Sequence, residues 1–193
     1  MTDEELLTNA SRGDEAAFLE LYQRHRDPVF RFAYRLLGAV ELAEDVAHDC
    51  FVSLIERPAT FDPTRASLRT YLFAAARNLA MKQFRRTRRD EDVDALDNES
   101  MLVEVEQPLI NLLDKEVCML VKQAVAHLPR LQREALILFE YEDCSLAEIS
   151  RIVGADVGAV KARLHRARQA LKRSLVGYFA HEADTMDLVE VFK

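Results

Sequence analysis

Apolar residues recur at intervals of three and four positions along most of the chain, which is the spacing of one face of an α-helix. Few β-branched residues alternate with polar ones at every second position, so the pattern gives little support for β-strands. We therefore predict an all-α fold. The predicted helices cover about residues 18–37, 42–54, 68–89, 112–128, 131–141 and 157–178, with a short helix between the last two.

The segment around Gly154 predicts a helix-turn-helix. Ser145 and Glu148 have the spacing of a capping box, in which each side chain binds a backbone N–H at the start of a helix. Gly154 can adopt the left-handed conformation that ends a helix, and the next helix begins near Val157. This succession of helix, short turn and helix is typical of one class of DNA-binding domain.

The net charge of −7 hides a segregated charge pattern. Residues 67–89 contain seven basic side chains and no acidic one, and residues 151–178 contain seven basic side chains and one acidic one. Residues 90–116 contain ten acidic side chains and one basic one. Two cationic segments separated by an anionic one indicate two surfaces that each meet a polyanion. We predict two small helical domains at 1–89 and 112–178, an acidic linker at 90–111 and a tail at 179–193.

Several classes of protein receive no support from the sequence. The three cysteines are far apart and form no C-x-x-C pair, which disfavours a disulfide framework or a zinc site. No segment approaches the roughly 18–20 continuous apolar residues of a membrane span, and the first residues are acidic, so we expect a cytoplasmic protein without membrane insertion. We expect no enzyme activity and no cofactor, since neither a phosphate-binding loop nor a nucleophile elbow is present.

One enzyme-like alternative stays open at this stage. Acidic residues flank a histidine on the second predicted helix, and such a cluster could bind a metal ion as in phosphohydrolases. Its members are Glu44, Asp45, His48 and Asp49.

The final predicted helix has an apolar face and a basic face. The residues expected to be buried are Val157, Val160, Leu164, Ala167, Leu171 and Leu175. The basic face includes Lys161, His165 and Arg166, with Arg163 at its border, and it has the width needed to enter a DNA major groove. A basic face of a lone helix can be merely solvated, but the preceding capped helix and turn favour DNA binding.

The third predicted helix repeats this arrangement. Its polar stripe consists of Asn78 and the cationic Lys82, Arg85 and Arg89, with Tyr71 and Arg86 beside it. An exposed aromatic ring next to cationic side chains suits single-stranded or melted DNA, because the ring can stack on an unpaired base. The alternative is a core aromatic on an Arg-rich surface helix.

The second predicted helix is acidic opposite its expected buried residues, Leu42, Val46 and Cys50. Asp45 and Asp49 share the acidic face, and the apolar Phe51 and Val52 lie at its edge. Acids mixed with exposed apolar side chains indicate a protein-docking surface, since the apolar groups gain from burial and the acids select a basic partner. The alternative is that a neighbouring helix covers Phe51.

Three segments in register resemble the bacterial RNA polymerase sigma factors of the extracytoplasmic-function (ECF) group. They are AEDVAHDCFVSLIE, LRTYLFAAARNLAMKQFRRTRR and LPRLQREALILFEYEDCSLAEISRIVGADVGAVKARLHRARQALKRSL. The resemblance covers roughly residues 10–178 and implies two helical domains, called region 2 and region 4. It also implies a subunit without enzyme activity that binds core RNA polymerase and directs transcription initiation at promoters.

The resemblance further implies partners and residue roles. The residues expected to dock on core RNA polymerase, at its β′ clamp and β subunits, are Asp45, Asp49, Phe51 and Val52. Those expected to recognise and help melt the −10 element of promoter DNA are Tyr71, Asn78, Lys82, Arg85 and Arg86. Those expected to read the −35 element are Lys161, Arg163, His165 and Arg166. An anti-sigma factor is a further implied partner, and a helix-turn-helix regulator that acts without core polymerase remains the alternative.

Overall fold

The computed structural model describes residues 1–91 and 112–179, with side chains described for 1–86 and 117–176. These residues form eight α-helices and one short 3-10 turn and contain no β-strand, which confirms the predicted all-α fold. The helices are α1 (Asp3–Ala10), α2 (Glu15–Leu37), α3 (Val40–Glu56), α4 (Leu68–Glu91), α5 (Leu112–Ala126), α6 (Arg130–Glu140), α7 (Leu146–Val153) and α8 (Val157–Phe179). The predicted linker and tail lie outside the described residues, except for 90–91, which end α4, and 179, which ends α8.

Helix α1 was not predicted from the sequence, because eight residues give too short an apolar pattern. A capping box starts it: Thr2 Oγ1 accepts from the Glu5 backbone N–H over 3.2 Å, and the Glu5 carboxylate accepts from the Thr2 N–H over 2.9 Å. Its buried face consists of Leu6, Leu7 and Ala10, and α1 packs against α2. The helix thereby extends the first domain at its N-terminal end.

Helices α2, α3 and α4 form the body of the first domain. Helix α2 ends at Gly38, whose φ of 77° is the left-handed conformation that glycine adopts without strain. The three helices pack on one another, and the rings of Phe32 in α2 and Phe73 in α4 meet edge to face at 5.4 Å. The expected burial of Leu42 in α3 is wrong, since the buried face is centred on Ala43, Val46 and Cys50 and leaves Leu42 half-buried.

The second domain contains the predicted helix-turn-helix as α7, a turn and α8. The Ser145–Glu148 capping box is confirmed, and Gly154 ends α7 with a φ of 64°. Most of the expected core stripe of α8 is buried. Val157 is an exception at 38 % exposed, because it is the first residue of α8 and lies beyond the packed surface.

The two domains are in contact with each other, which the sequence did not predict. Helix α4 packs against α7, and α2 packs against α6. Their buried apolar side chains form one continuous cluster that includes residues of both domains.

Candidate functional site

The acidic face of α3 is exposed. Glu41, Glu44, Asp45, His48 and Asp49 all lie on the solvent side of the helix. Helical geometry places Asp45 and Asp49 one turn apart on the same face, since residues i and i+4 are neighbours on a helix surface. Val52 is 39 % exposed, so an apolar side chain accompanies the acids. The surface therefore combines negative charge with apolar area, as the sequence indicated.

Phe51 does not belong to this exposed surface. Its side chain is 1 % exposed, and its ring meets the ring of Tyr22 in α2 edge to face at 4.9 Å. The expectation that Phe51 contacts a partner is corrected by this burial, because α2 covers the ring and takes it into the core. Phe51 supports the face that carries Asp49 and Val52 and does not itself form part of it.

Tyr71, in the first turn of α4, is bound to the loop that precedes the helix. Its hydroxyl lies 2.6 Å from Oγ1 of Thr60, and its ring meets that of Phe61 at 5.6 Å. Thr60 donates its own hydroxyl proton to the Arg57 carbonyl over 2.7 Å, so Tyr71 must be the donor to Thr60. The ring is half-buried by these contacts. Part of an aromatic surface thus stays accessible at a fixed position.

The same loop is stabilised by Asp62. Its carboxylate accepts hydrogen bonds from the Thr64 hydroxyl at 2.7 Å and the Thr64 backbone N–H at 3.0 Å. These two bonds lower the pKa of Asp62, because they favour the charged carboxylate. The loop against which Tyr71 rests is therefore a defined turn.

The polar side of α4 continues the surface that begins at Tyr71. Asn78, Lys82, Arg85 and Arg86 are exposed, and Arg85 Nε donates to the Met81 carbonyl over 3.2 Å. The side chain of Arg89, which completes the predicted stripe, lies outside the described residues. The described part of the stripe presents cationic side chains to solvent along about two turns of helix.

The basic face of α8 is exposed at Lys161, His165 and Arg166. The helix begins after Asp156, whose carboxylate accepts from the Ala159 N–H over 2.8 Å. On the opposite side, Val160, Leu164, Ala167 and Leu171 are buried. Packing thus fixes the rotation of α8 about its axis and directs the basic face to solvent.

Arg163 differs from its basic neighbours on α8. Its Nη1 atom lies 3.2 Å from Oε1 of Glu134 in α6, and its side chain is only 19 % exposed. Glu134 also accepts two hydrogen bonds from Arg77 of α4, from Nε at 2.8 Å and from Nη2 at 3.2 Å. One fully buried carboxylate therefore binds an arginine from each domain.

Sequence reasoning missed Glu134 and Arg77. The available signal was an acidic residue inside the apolar run of α6, at a position that faces the core. Such a residue is rarely buried without a cationic partner, so its position alone could have prompted a search for one. The partners themselves come from distant parts of the chain and could not be identified by spacing.

A second ionic contact joins the domains at Glu142, which is 2 % exposed. Arg35 of α2 lies 3.0 Å from Glu142 Oε1 and stacks over the ring of Tyr141 at 4.6 Å from its centroid. Arg69 of α4 donates to the Glu142 backbone carbonyl. Burial raises the pKa of Glu142, and the nearby Arg35 opposes that rise. The domain contact therefore includes a second buried carboxylate, which is paired with Arg35.

Three further features of the described residues concern metal binding, membrane insertion and the cysteines. Among the side chains that are described, those of residues 1–86 and 117–176, no three His, Cys, Asp or Glu side chains are grouped closely enough to bind a metal ion, and the cluster from Glu44 to Asp49 is no exception. Over the same part of the chain, no helix has both the length and the apolarity needed to span a membrane. Burial raises the pKa of the Cys50 thiol to about 12 and that of Cys144 to about 11, whereas Cys118 is exposed.

Two family models match the chain. Sigma-70 region 2 matches residues 21–90, which contain the acidic face of α3 and the basic face of α4. Sigma-70 region 4 matches residues 118–171, which contain the helix-turn-helix. The two matches fall on the two helical domains in the order that the sequence predicted.

Whole-chain comparisons agree with these matches. The ECF RNA polymerase sigma factor SigW of Bacillus subtilis is 30% identical over 88% of this chain and 94% of its own length. The RNA polymerase sigma-H factor of Pseudomonas aeruginosa is 31% identical over 90% of this chain and 93% of its own length. Among solved structures, the sigma factor RpoE in complex with the anti-sigma factor NepR from Bartonella quintana superimposes with a TM-score of 0.70. It is 26% identical and covers 87% of this chain and 98% of that chain.

These relatives extend over nearly the whole chain and over nearly their own full lengths. A helix-turn-helix regulator that acts without polymerase is not favoured, because the match includes region 2 as well as the DNA-binding domain. The function that follows is that of a subunit which binds core RNA polymerase and directs transcription initiation. The chain belongs to the ECF group of bacterial RNA polymerase sigma factors.

Proposed function

We propose that this sigma factor divides its work among three exposed faces, on α3, α4 and α8. The acidic face of α3 docks on core RNA polymerase through Asp45, Asp49 and Val52. The observation that carries this assignment is the exposure of two carboxylates one turn apart beside an apolar side chain, above a rigid core that contains Phe51. Charge selects a basic partner surface, and burial of Val52 adds apolar contact area.

Asp49→Arg tests the docking face directly. The substitution reverses one charge on an exposed helix position, so the domain should fold normally while the contact with polymerase weakens. We expect the variant to fail to co-elute with core RNA polymerase in gel filtration at concentrations where the wild type co-elutes. Asp27→Arg on α2 is the matched control, since Asp27, like Asp49, is an exposed acid on a helix. Asp27 differs in that it forms an ion pair with the adjacent Arg26. Equal loss of co-elution in both variants would reject the assignment of the docking surface to α3.

The exposed face of α4 is proposed to recognise and help melt the −10 element. Tyr71 supplies an aromatic ring for an unpaired base, and Asn78, Lys82, Arg85 and Arg86 bind the backbone or base edges of the melted strand. The fixed position of the Tyr71 ring supports this role, because a ring that is already ordered loses little entropy when a base stacks on it.

The face of α8 that contains Lys161, His165 and Arg166 is proposed to read the −35 element in the major groove. Arginine and lysine side chains can bind guanine O6 and N7, while others of the set neutralise phosphates. Arg163 is proposed to join this face only when it leaves Glu134. The structure of the related RpoE contains a bound anti-sigma factor, and we propose a partner of that class for this chain. We propose that the chain itself acts in the cytoplasm, together with its polymerase.

A further inference from the structure

The basic face of α8 extends beyond Arg166 toward the end of the helix. Lys172 and Arg173 are exposed as well. They follow His165 and Arg166 by seven positions each, which is about two helical turns, so the four side chains lie on one face. The whole helix contains six Lys and Arg residues and no Asp or Glu. The face is therefore positively charged along most of its length.

Most of this charge is not neutralised by another side chain. Two of the cationic residues of α8 are paired, Arg163 with Glu134 and Arg168 with Glu140. The remaining four form no ion pair with any side chain of residues 1–86 or 117–176, and they are Lys161, Arg166, Lys172 and Arg173. Like charges one turn apart on a helix repel each other, so this face is stabilised by an anionic partner.

An exposed apolar side chain lies at each end of the basic face. Val157 is 38 % exposed and Val176 is 47 % exposed. Val157 lies one helical turn before Lys161, and Val176 lies one turn after Lys172. Apolar side chains that stand beside charged ones gain from burial under a partner whose charge matches. A partner that covers the whole face therefore combines negative charge with apolar side chains.

The segment that follows α8 has this composition. Residues 180–193 of the tail contain Glu182, Asp184, Asp187 and Glu190, and Lys193 is their only Lys or Arg. The large apolar residues of the segment are Met186, Leu188, Val189, Val191 and Phe192. The tail lies beyond the region 4 match, which ends at residue 171. Its charge and apolar residues are therefore not part of the family pattern that defines the helix-turn-helix.

The tail is long enough to cover the face. From residue 179 back to residue 157, α8 spans about 33 Å at ~1.5 Å per residue. Residues 180–193 have a contour length of about 46 Å at ~3.3 Å per residue. A reversal of the chain uses about four residues, which leaves about 33 Å for the return along the helix. The tail can therefore reach the first turn of α8.

We propose that the tail folds back along α8 in the free chain and covers its basic face. The tail carboxylates contact the four cations that have no other ion-pair partner, and the apolar side chains of the tail cover Val157 and Val176. The docking follows from charge, exposure and reach. Its consequence for DNA binding rests on the −35 reading that we propose for this face.

The contact is weak in each ion pair and is favoured because it is intramolecular. Exposed ion pairs contribute little individually, since water screens them and long side chains lose freedom. The covalent connection to α8 gives the tail a high effective concentration at the face. A covered face does not bind phosphates, so the apparent affinity for DNA falls with the fraction of uncovered molecules. The tail therefore weakens sequence-independent binding of the free chain to duplex DNA.

Zero-length cross-linking of the full-length chain tests the docking without DNA or polymerase. A water-soluble carbodiimide joins a carboxylate to an amine where the two groups are in contact. We expect amides between tail carboxylates and Lys161 or Lys172, identified by mass spectrometry of the cross-linked monomer. Lys122 is the matched control, since it is an exposed lysine of α5 in the same domain. The proposal is overturned if the tail forms no amide with α8, or if it reacts with Lys122 as often as with Lys172.

Neutral variants of the tail test the consequence for DNA. The tail variant replaces four acids without changing the length of the chain: Glu182→Gln, Asp184→Asn, Asp187→Asn and Glu190→Gln. The control variant makes the same change in net charge at four exposed helical acids of the first domain: Glu4→Gln, Glu15→Gln, Asp27→Asn and Glu56→Gln. At physiological ionic strength, charges more than about 8 Å apart are largely screened, so the control acids act little on α8.

Binding to duplex DNA of random sequence, without polymerase, is then compared. We expect the tail variant to bind at least threefold more tightly than the wild type and the control variant to bind like the wild type. Equal gains in both variants would overturn the proposal, because net charge alone would then explain them, and so would a gain in the tail variant without cross-links to α8. Cross-links from the tail to Lys172 with no gain in DNA affinity would support the docking and reject α8 as the DNA-reading helix. The two measurements thus separate a failure of the inference from a failure of the proposed function.

Discussion

The hydroxyl of Tyr71 donates a hydrogen bond to Oγ1 of Thr60 over 2.6 Å, which joins the start of α4 to the turn that precedes it. This bond and the edge-to-face contact with Phe61 fix the ring that we propose for base stacking. A side chain fixed from both sides is available to a melted strand without reordering. The hydroxyl of Tyr71 therefore anchors the side chain, whereas the ring is the part that we propose for base stacking.

Tyr71→Phe should keep base stacking and lose only the anchoring bond. We expect stability to fall by about 1 kcal/mol, as for other single hydrogen bonds, in urea denaturation. Thr60→Ala should cost more, because it also removes the hydrogen bond to the Arg57 carbonyl, and the double variant should cost little more than Thr60→Ala alone. Permanganate footprinting of melted promoter DNA should show little change for Tyr71→Phe and a clear loss for Tyr71→Ala. If Tyr71→Ala melts promoter DNA as well as the wild type does, the proposed stacking role of the ring is contradicted.

The neighbouring residues Phe51 and Val52 should behave oppositely. Phe51→Ala removes a buried ring from the contact with Tyr22 and should reduce the free energy of unfolding by about 3–5 kcal/mol. Val52→Ala changes an exposed position, so its effect on stability should stay within about 0.5 kcal/mol. Co-elution with core RNA polymerase should instead be weakened by Val52→Ala. A stable Phe51→Ala variant that has lost polymerase binding would place Phe51 back on the docking surface.

Arg166→Ala should weaken binding of the holoenzyme to promoter DNA. Loss of a contact to a base edge or phosphate should cost about 1–3 kcal/mol, which corresponds to roughly 5- to 150-fold in affinity. If Arg166 binds a phosphate, the slope of log affinity against log salt concentration should fall by about 0.9. Arg168→Ala is the matched control, because Arg168 binds Glu140 and packs over Phe139. An Arg166→Ala variant with unchanged affinity and salt dependence would contradict the assignment of this face.

The capping box of α7 predicts a defined pH dependence. Hydrogen bonds from the Ser145 hydroxyl and backbone N–H lower the pKa of Glu148 from its ordinary value of 4.5. A carboxylate with a lowered pKa contributes stability that is fully present above 4.5 and is lost as the pH falls through the folded-state pKa. The stability advantage of the wild type over Glu148→Gln should therefore be constant near neutral pH and shrink below pH 4.5. Urea denaturation of both proteins, from neutral pH to below pH 4.5, measures this difference in stability. A stability advantage of the wild type that grows on acidification would contradict the prediction.

The sequence was sufficient for features that depend on local periodicity and capping. The helix-turn-helix follows from Ser145, Glu148 and Gly154 alone, and the exposed acids of α3 follow from their spacing. The prediction that Phe51 belongs to the docking surface was wrong, because Tyr22 covers its ring. Tyr22 belongs to another helix, whose position cannot be derived from the sequence. The contact of Glu134 with Arg77 and Arg163 was missed for the same reason. Its members are brought together by tertiary packing over separations of 57 and 29 positions.

Transcription by reconstituted holoenzyme tests the central claim most directly. Core RNA polymerase of the bacterium that encodes this chain would be incubated with the purified protein and fragments of the same genome, and transcript 5′ ends would be mapped. The account predicts discrete start sites that require the added chain, with Asp49→Arg abolishing them and Asp27→Arg retaining them. A folded wild-type chain that yields no start site on any fragment, or start sites that survive Asp49→Arg unchanged, would contradict it.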